Sequence, residues 1–169
     1  MPQQAGYYTP DDLLAELRDD LKPWVQKRKG MLSIATDPYN FLELLAQSPA
    51  GWRVVLHWDG EDNTAEAAQA GDFCTQRISL GITANLGLTA NPSEGMVTDT
   101  AVRKAFLGLV ADLRDRVRGY VFPDQVTNRY MHYKRAVPVV LPEGVPLAGM
   151  KLDFELIAAL PPAVYRNDI

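Results

Sequence analysis

Cysteine and histidine are nearly missing from this chain of 169 residues, which has one cysteine, Cys74, and two histidines, His57 and His132. A lone cysteine cannot close an internal disulfide, and one thiol with two imidazoles is too poor a set for a Cys/His zinc site. Long apolar runs are missing too. None approaches the roughly 18 to 20 residues that span a bilayer. The opening stretch, MPQQAGYYTPDD, has neither the basic start nor the apolar middle of a signal peptide. The expected address is therefore the cytoplasm, with no membrane partner. Positive charge is not in excess: 17 Lys and Arg face 21 Asp and Glu, a net charge of −4. That balance argues against a duplex-DNA binder, because affinity for phosphate rests on clustered cations. No P-loop, dinucleotide glycine fingerprint, nucleophile elbow, HExxH or calcium loop occurs. Gly81 and Gly87 lie inside strand pattern, not at a strand-to-helix turn.

What is present is ordinary folding material, 47% hydrophobic and 22% charged residues. Such a composition supports one domain over 1–169, with a core over about 9–160 and short flexible termini. Thr9-Pro10-Asp11-Asp12 reads as a helix start, with a capping hydroxyl, proline at the first helical position and carboxylates at the positive end of the dipole. Leu13, Leu14, Leu17 and Leu21 form its apolar face, and Pro23 is expected to end or kink it near Lys22. The basic run Lys27-Arg28-Lys29 reads as a solvated helix end, with an anion site as the sharper alternative. Asp37-Pro38 starts a shorter helix carrying Phe41, Leu42, Leu44 and Leu45, closed near Ser48-Pro49.

Residues 52–58 alternate, with Trp52, Val54, Leu56 and Trp58 on one face and Arg53, Val55 and His57 on the other, and Asp59-Gly60 is expected to end that strand. Residues 61–71 read as an exposed loop at the head of a long hairpin. Alternation resumes over 73–86, with Ile78, Leu80, Ile82 and Ala84 opposed to Arg77, Ser79, Gly81 and Thr83. A helix capped by Thr98 or Thr100 carries Val102, Phe106, Leu109, Leu113 and Val117, with Gly119 as its C-cap. Strands are expected over 130–140, where Pro138 confines one end to an edge or bulge, and over 147–160. The order of elements gives an α+β fold with a largely antiparallel sheet of about four strands and helices packed on one face.

Candidate chemistry is sparse. His57 and His132 read as surface or edge-strand histidines, since no motif pairs either with a nucleophile. Cys74 reads as a small apolar residue rather than a reactive thiol. Glu61, Asp62 and Asp99 read as solvated loop acids rather than metal ligands. No cofactor is expected. Arg114, Arg116 and Arg118 form one basic cluster. Tyr130-Met131-His132-Tyr133-Lys134-Arg135 form the other, interleaving aromatics and cations as a single-strand binder would. Alternation, however, sends Tyr130, His132 and Lys134 to one face and Met131, Tyr133 and Arg135 to the other. A sheet edge or subunit contact then explains the cluster better. Glu61, Asp62, Tyr130, His132, Lys134 and Arg135 are the candidate interface residues.

The whole order of elements resembles the tail terminator, or tail completion, proteins of long-tailed bacteriophages and prophages. The likeness is carried by the opening helix at 13–21, the strand at 52–58 with a charged loop, the strand at 73–86 and the helix at 102–117. It is completed by the segment Tyr130 to Arg135 and the late strand Lys151-Leu152-Asp153-Phe154-Glu155-Leu156. The resemblance implies a structural virion protein, not an enzyme. Such a protein forms a ring, typically hexameric, that caps the tail tube, stops its polymerisation and offers the surface for head joining. Its implied partners are copies of itself, the tail tube protein and the head-tail connector, and it would reside in the virion tail after assembly in the host cytoplasm. DNA would pass through the ring without specific binding, and the net acidity suits that. Another phage neck, head-completion or minor tail protein is the alternative, and a small cytosolic enzyme or ligand-binding module without a recognisable motif is the second.

Overall fold

A computed structural model describes residues 9–47, 51–63, 73–85, 96–122, 131–141 and 147–159. The opening helix, α1 (Pro10–Lys27), begins at the expected cap: the Thr9 hydroxyl accepts from the Asp12 N–H, and the Asp12 carboxylate accepts from the Thr9 N–H. Leu13, Leu14, Leu17, Leu21 and Val25 are all buried along one face, each contributing about 1.5–3 kcal/mol of apolar burial. Pro23 does not end this helix, which continues for four more residues to Lys27. The one hydrogen bond that proline removes is outweighed by Val25, fully buried a half-turn later, and by Trp24 packing edge-on to Trp52 with ring centroids 5.8 Å apart.

The chain turns at Lys29, which has a positive φ of 57°, and at Gly30, where a Cβ would come within 2.5 Å of the Trp52 ring. A strand absent from the sequence expectation follows, β1 (Met31–Ile34), pairing in parallel with β2 (Trp52–Asn63). Between them lies α2 (Pro38–Ala46), capped by Asp37, whose side chain accepts from the Asn40 N–H. Next come β3 (Phe73–Asn85), α3 (Met96–Val117), β4 (His132–Pro138) and β5 (Leu147–Ala159). Helix α3 starts at Met96, so Thr98 and Thr100 lie inside it rather than capping it. Gly119, with φ +79°, stands just past its end as expected of a C-cap.

The five strands form one sheet in the order β1-β2-β3-β5-β4. The fold is α+β, but the expectation of four largely antiparallel strands with helices on one face is corrected on two points. The sheet has a fifth strand, and that strand pairs in parallel. Helices also cover both faces. Helices α1 and α3 pack on the side that presents Val54, Leu56, Ile78, Leu80, Ile82, Leu152, Phe154 and Leu156. Helix α2 lies on the opposite side, where Phe41 and Leu45 meet Val55. The close approach is made at Gly81, where a Cβ would come within 2.7 Å of both Leu45 and Phe41. Strand β5, last in sequence, inserts between β3 and β4, leaving β4 at the edge where Pro138 belongs.

Candidate functional site

Two bulges decide which side chains meet. In β2, Trp58 pairs with Ile78 and Gly60 with Arg77, so Asp59 is the extra residue and the strand continues beyond it to Asn63. Gly60 takes a φ of +111°, which only glycine adopts freely. Asp59-Gly60 therefore bends the strand instead of ending it, and residues 61–63 belong to β2 rather than to a loop; 64–71 lie outside the described residues. After the bulge, the alternation is reset. Glu61 shares a face with Gln76, whose Nε2 donates to it at 2.7 Å, while Asp62 points to the other face and pairs with Arg77 at 2.7 Å.

In β4, Tyr133 pairs with Phe154 and Arg135 with Asp153, so Lys134 is the extra residue. The bulge corrects the expected split of this cluster at Arg135, which joins His132 and Lys134 on one face while Met131 and Tyr133 stay on the other. Lys134 reaches Glu155 at 3.2 Å and Arg135 reaches Asp153 at 2.7 Å, both from the α2 side of β5. His132 is exposed in register with Glu155. Tyr133 turns to the other face and packs on Phe154, ring centroids 5.7 Å apart. Tyr130 lies outside the described residues. Of the candidate interface residues, Lys134, Arg135, His132 and Asp62 thus belong to the α2 side of the sheet, and Glu61 does not.

Helix α2 covers only part of that side. It buries Arg53, whose Nη1 donates to the Leu44 carbonyl and to Gln47 Oε1, both at 2.9 Å, placing a cation at the negative end of the helix. It also buries His57, 5% exposed beneath Phe41, so this histidine is not the surface residue expected from the sequence. The uncovered part is an open basin of about 580 Å³ lined by Asp59, Arg77, Lys134, Arg135, Lys151, Asp153 and Glu155. Alternation places Arg77, Lys151, Asp153 and Glu155 on one face, but only the sheet order brings them together with Asp59 and Arg135. Lys134 and Arg135 were among the residues expected from the sequence, whereas Asp59, Arg77, Lys151, Asp153 and Glu155 were missed for that reason; the Asp-Gly pair at the bulge was the available signal.

Inside the basin, one row of polar groups crosses four strands. His57 Nδ1 lies 2.5 Å from Asp59 Oδ1, Ser79 Oγ donates to Asp59 Oδ2 and stands 3.0 Å from Asp153 Oδ1, and Arg135 Nε donates to Asp153 Oδ2 at 2.7 Å. Lys151 Nζ lies 3.5 Å from Asp59 and 3.4 Å from Asp153. Burial alone would raise the Asp59 carboxyl, but the hydrogen bonds from His57 and Ser79 and the charge of Lys151 outweigh it and hold Asp59 below the usual carboxylate range. Asp59 stands between Ser79 and His57, the reverse of the serine–histidine–aspartate order in which histidine activates a hydroxyl. The cations Arg77, Lys134, Arg135 and Lys151 each touch a carboxylate, so the basin carries both signs of charge in near balance.

Elsewhere, Cys74 is buried beside Gln76, and burial above all raises its thiol pKa. No group of three or more His, Cys, Asp or Glu side chains suited to a metal occurs among the described residues. No helix among them is long and apolar enough to cross a membrane. Neither the known protein-family models nor the curated proteins include a match to this chain.

Proposed function

We propose that the protein is a phage tail terminator, a structural component that closes into a ring on the end of the tail tube, stops tube polymerisation and offers the head-joining surface. The observation that carries the reading is the partly uncovered sheet face beside edge strand β4, a surface of balanced charge on rigid strands. Mixed charges of this kind favour a contact with another protein, where complementarity sets register and partner, over capture of a ligand of one charge sign. The edge itself is guarded. The Lys134 bulge and Pro138 at the end of β4 discourage uncontrolled strand addition, a useful property in a subunit that must dock on a polymer and then stop.

On this reading the ring is cyclic and most simply hexameric, its neighbours being the tube protein and the connector, with DNA passing through the lumen. A tube subunit interface that does not close on itself extends indefinitely unless something occupies its growing end. Deleting the gene is therefore expected to give full heads beside headless tails of irregular, excessive length in electron micrographs. Normal-length tails joined to heads would exclude the reading. Normal-length headless tails would move the assignment to another neck protein.

A further inference from the structure

Edge strand β1 stands in a stretch of one charge sign. Between Asp20 and Asp37 the chain has four cations, Lys22, Lys27, Arg28 and Lys29, and not one carboxylate. None of the four makes an ion pair among the described residues. Arg28 is occupied locally, its Nη1 donating to the Trp24 carbonyl at 3.3 Å and its guanidinium stacking 4.2 Å from the centre of the Trp24 ring. Lys22, Lys27 and Lys29 are exposed. Between α1 and β1 runs an open groove of about 560 Å³, with Lys22, Gly30, Met31 and Leu32 in its lining. The carboxylate of the groove, Asp19, is paired with Arg18 at 3.1 Å.

The groove also presents backbone. The Ala35 N–H donates to the Leu56 carbonyl at 2.8 Å, and Ile34 is the residue in register with Leu56. In a parallel ladder alternate residues turn their N–H and C=O to the neighbour, so Ser33 and Ala35 bond to β2 while Leu32 and Ile34 face outward. Strand β1 is the last on its side of the sheet, and no hydrogen bond to those outward groups occurs among the described residues. The edge at β4 is guarded by the Lys134 bulge and Pro138; Met31-Leu32-Ser33-Ile34 has no charge, proline or bulge.

We propose that β1 receives an extended segment of a partner protein as an added outer strand, antiparallel to β1, with carboxylates at the end that reaches Lys22, Lys27 and Lys29. Leu32 and Ile34 each exchange two hydrogen bonds with one residue of the incoming strand, four main-chain bonds in all. So short a ladder holds weakly by itself, and the cations supply the remaining attraction and the choice of partner. An antiparallel strand on β1 ends beside Met31 and the basic turn, so its acidic residues follow its β-branched ones. Asp37, just past the other end of β1, disfavours carboxylates there. The edge selects protein over nucleic acid, because outward N–H and C=O groups match a strand, whereas a phosphate backbone offers acceptors alone. Trp24, the aromatic that could stack a base, has Arg28 over its ring and Trp52 against it edge-on. This surface lies at the opposite edge of the sheet from β4, so its occupant is independent of the terminator reading.

The test uses the full-length chain and a short fluorescent peptide in which alternating valine and threonine are followed by glutamates. Anisotropy reads binding, and amide hydrogen exchange followed by NMR reads its place. The peptide is expected to bind and to slow exchange at Leu32 and Ile34. N-methylation along its valine–threonine stretch should weaken binding about tenfold or more, as should lysines in place of its glutamates. Combining Lys22→Glu with Lys29→Glu, both at exposed positions, should do the same. Absence of binding would overturn the proposal, as would binding that survives N-methylation or leaves the Leu32 and Ile34 amides unchanged. Slow exchange at both amides without peptide, growing with chain concentration, would overturn it in favour of a second copy on this edge. A single-stranded oligonucleotide that binds where the peptide does not, and is lost from the charge-reversed variant, would overturn it in favour of nucleic acid.

Discussion

Asp59 and Asp153 stand on strands that do not pair, β2 and β5, yet they are joined through one hydroxyl, Ser79 at the fully buried centre of β3. The serine has a single proton to donate, so the two carboxylates are held together only because Lys151 sits against both and because His57 and Arg135 satisfy their outer oxygens. The row ties β2, β3, β5 and β4 together on the side of the sheet that α2 leaves open.

Ser79→Ala removes the shared donor and leaves two carboxylates facing a methyl group. A loss of about 1–3 kcal/mol is expected, the usual cost of stranding partly buried acceptors. Urea denaturation would register it as a lower midpoint with an unchanged slope. An unaltered midpoint would mean that the row contributes nothing to the fold.

The depressed pKa of Asp59 makes stability depend on acid. Its stabilising contribution is fully present above the unfolded value, near 3.9, and disappears as the pH falls through the lower folded value. The native chain should therefore lose stability below about pH 4. Asp59→Asn, which has no carboxyl to protonate, should show a flatter acid limb in the same titration, although its stability at neutral pH is lower. The difference is expected to shrink in high salt because Asp59 is partly exposed.

How far the sequence was legible depended on how local each signal was. Thr9, Pro10 and Asp12 carry the start of α1 within four residues, and Gly119 and Pro138 announce a helix end and a sheet edge by their own backbone restrictions. Strand β1 has only four residues and no alternation, and it exists because β2 lies beside it. Phe41 and Leu45 mark α2 as amphipathic but do not say which face of the sheet it covers; that was written in Gly81, forty residues away from Phe41 and read simply as a strand glycine. The bulges at Asp59 and Lys134 changed the facing of the candidate interface residues, because a single extra residue reverses every later side chain on a strand. The ionic row was illegible for a related reason: its members are polar residues on an alternating face, and their meeting depends on β5 inserting between β3 and β4.

The assignment of the α3 face has a direct check. Phe106 is buried with Val110, Leu113 and Val117, whereas Lys104 is exposed. Phe106→Ala should cost about 3–5 kcal/mol, the usual loss for a buried aromatic. Lys104→Ala should leave the denaturation midpoint unchanged. Equal midpoints in the two variants would mean that the helix presents a different face.

Two glycine-to-alanine substitutions should act with opposite sign. At Gly81 a new methyl group would press against Leu45 and Phe41 at 2.7 Å, and both side chains belong to the helix that covers His57. Their far ends can rotate, but they are pinned between α2 and the sheet, so the expected cost is about 1–3 kcal/mol, as for other overpacked sites. At Gly108, on the exposed side of α3, nothing lies within 4 Å of the new Cβ. There alanine only removes the backbone freedom of a helical glycine and should stabilise the fold by up to about 1 kcal/mol. Thermal melts of the two variants beside the native chain would test both signs at once. A neutral Gly81→Ala would mean that α2 can withdraw from the sheet without loss, which would undo the account of why this helix buries His57 and leaves the ionic row at its margin.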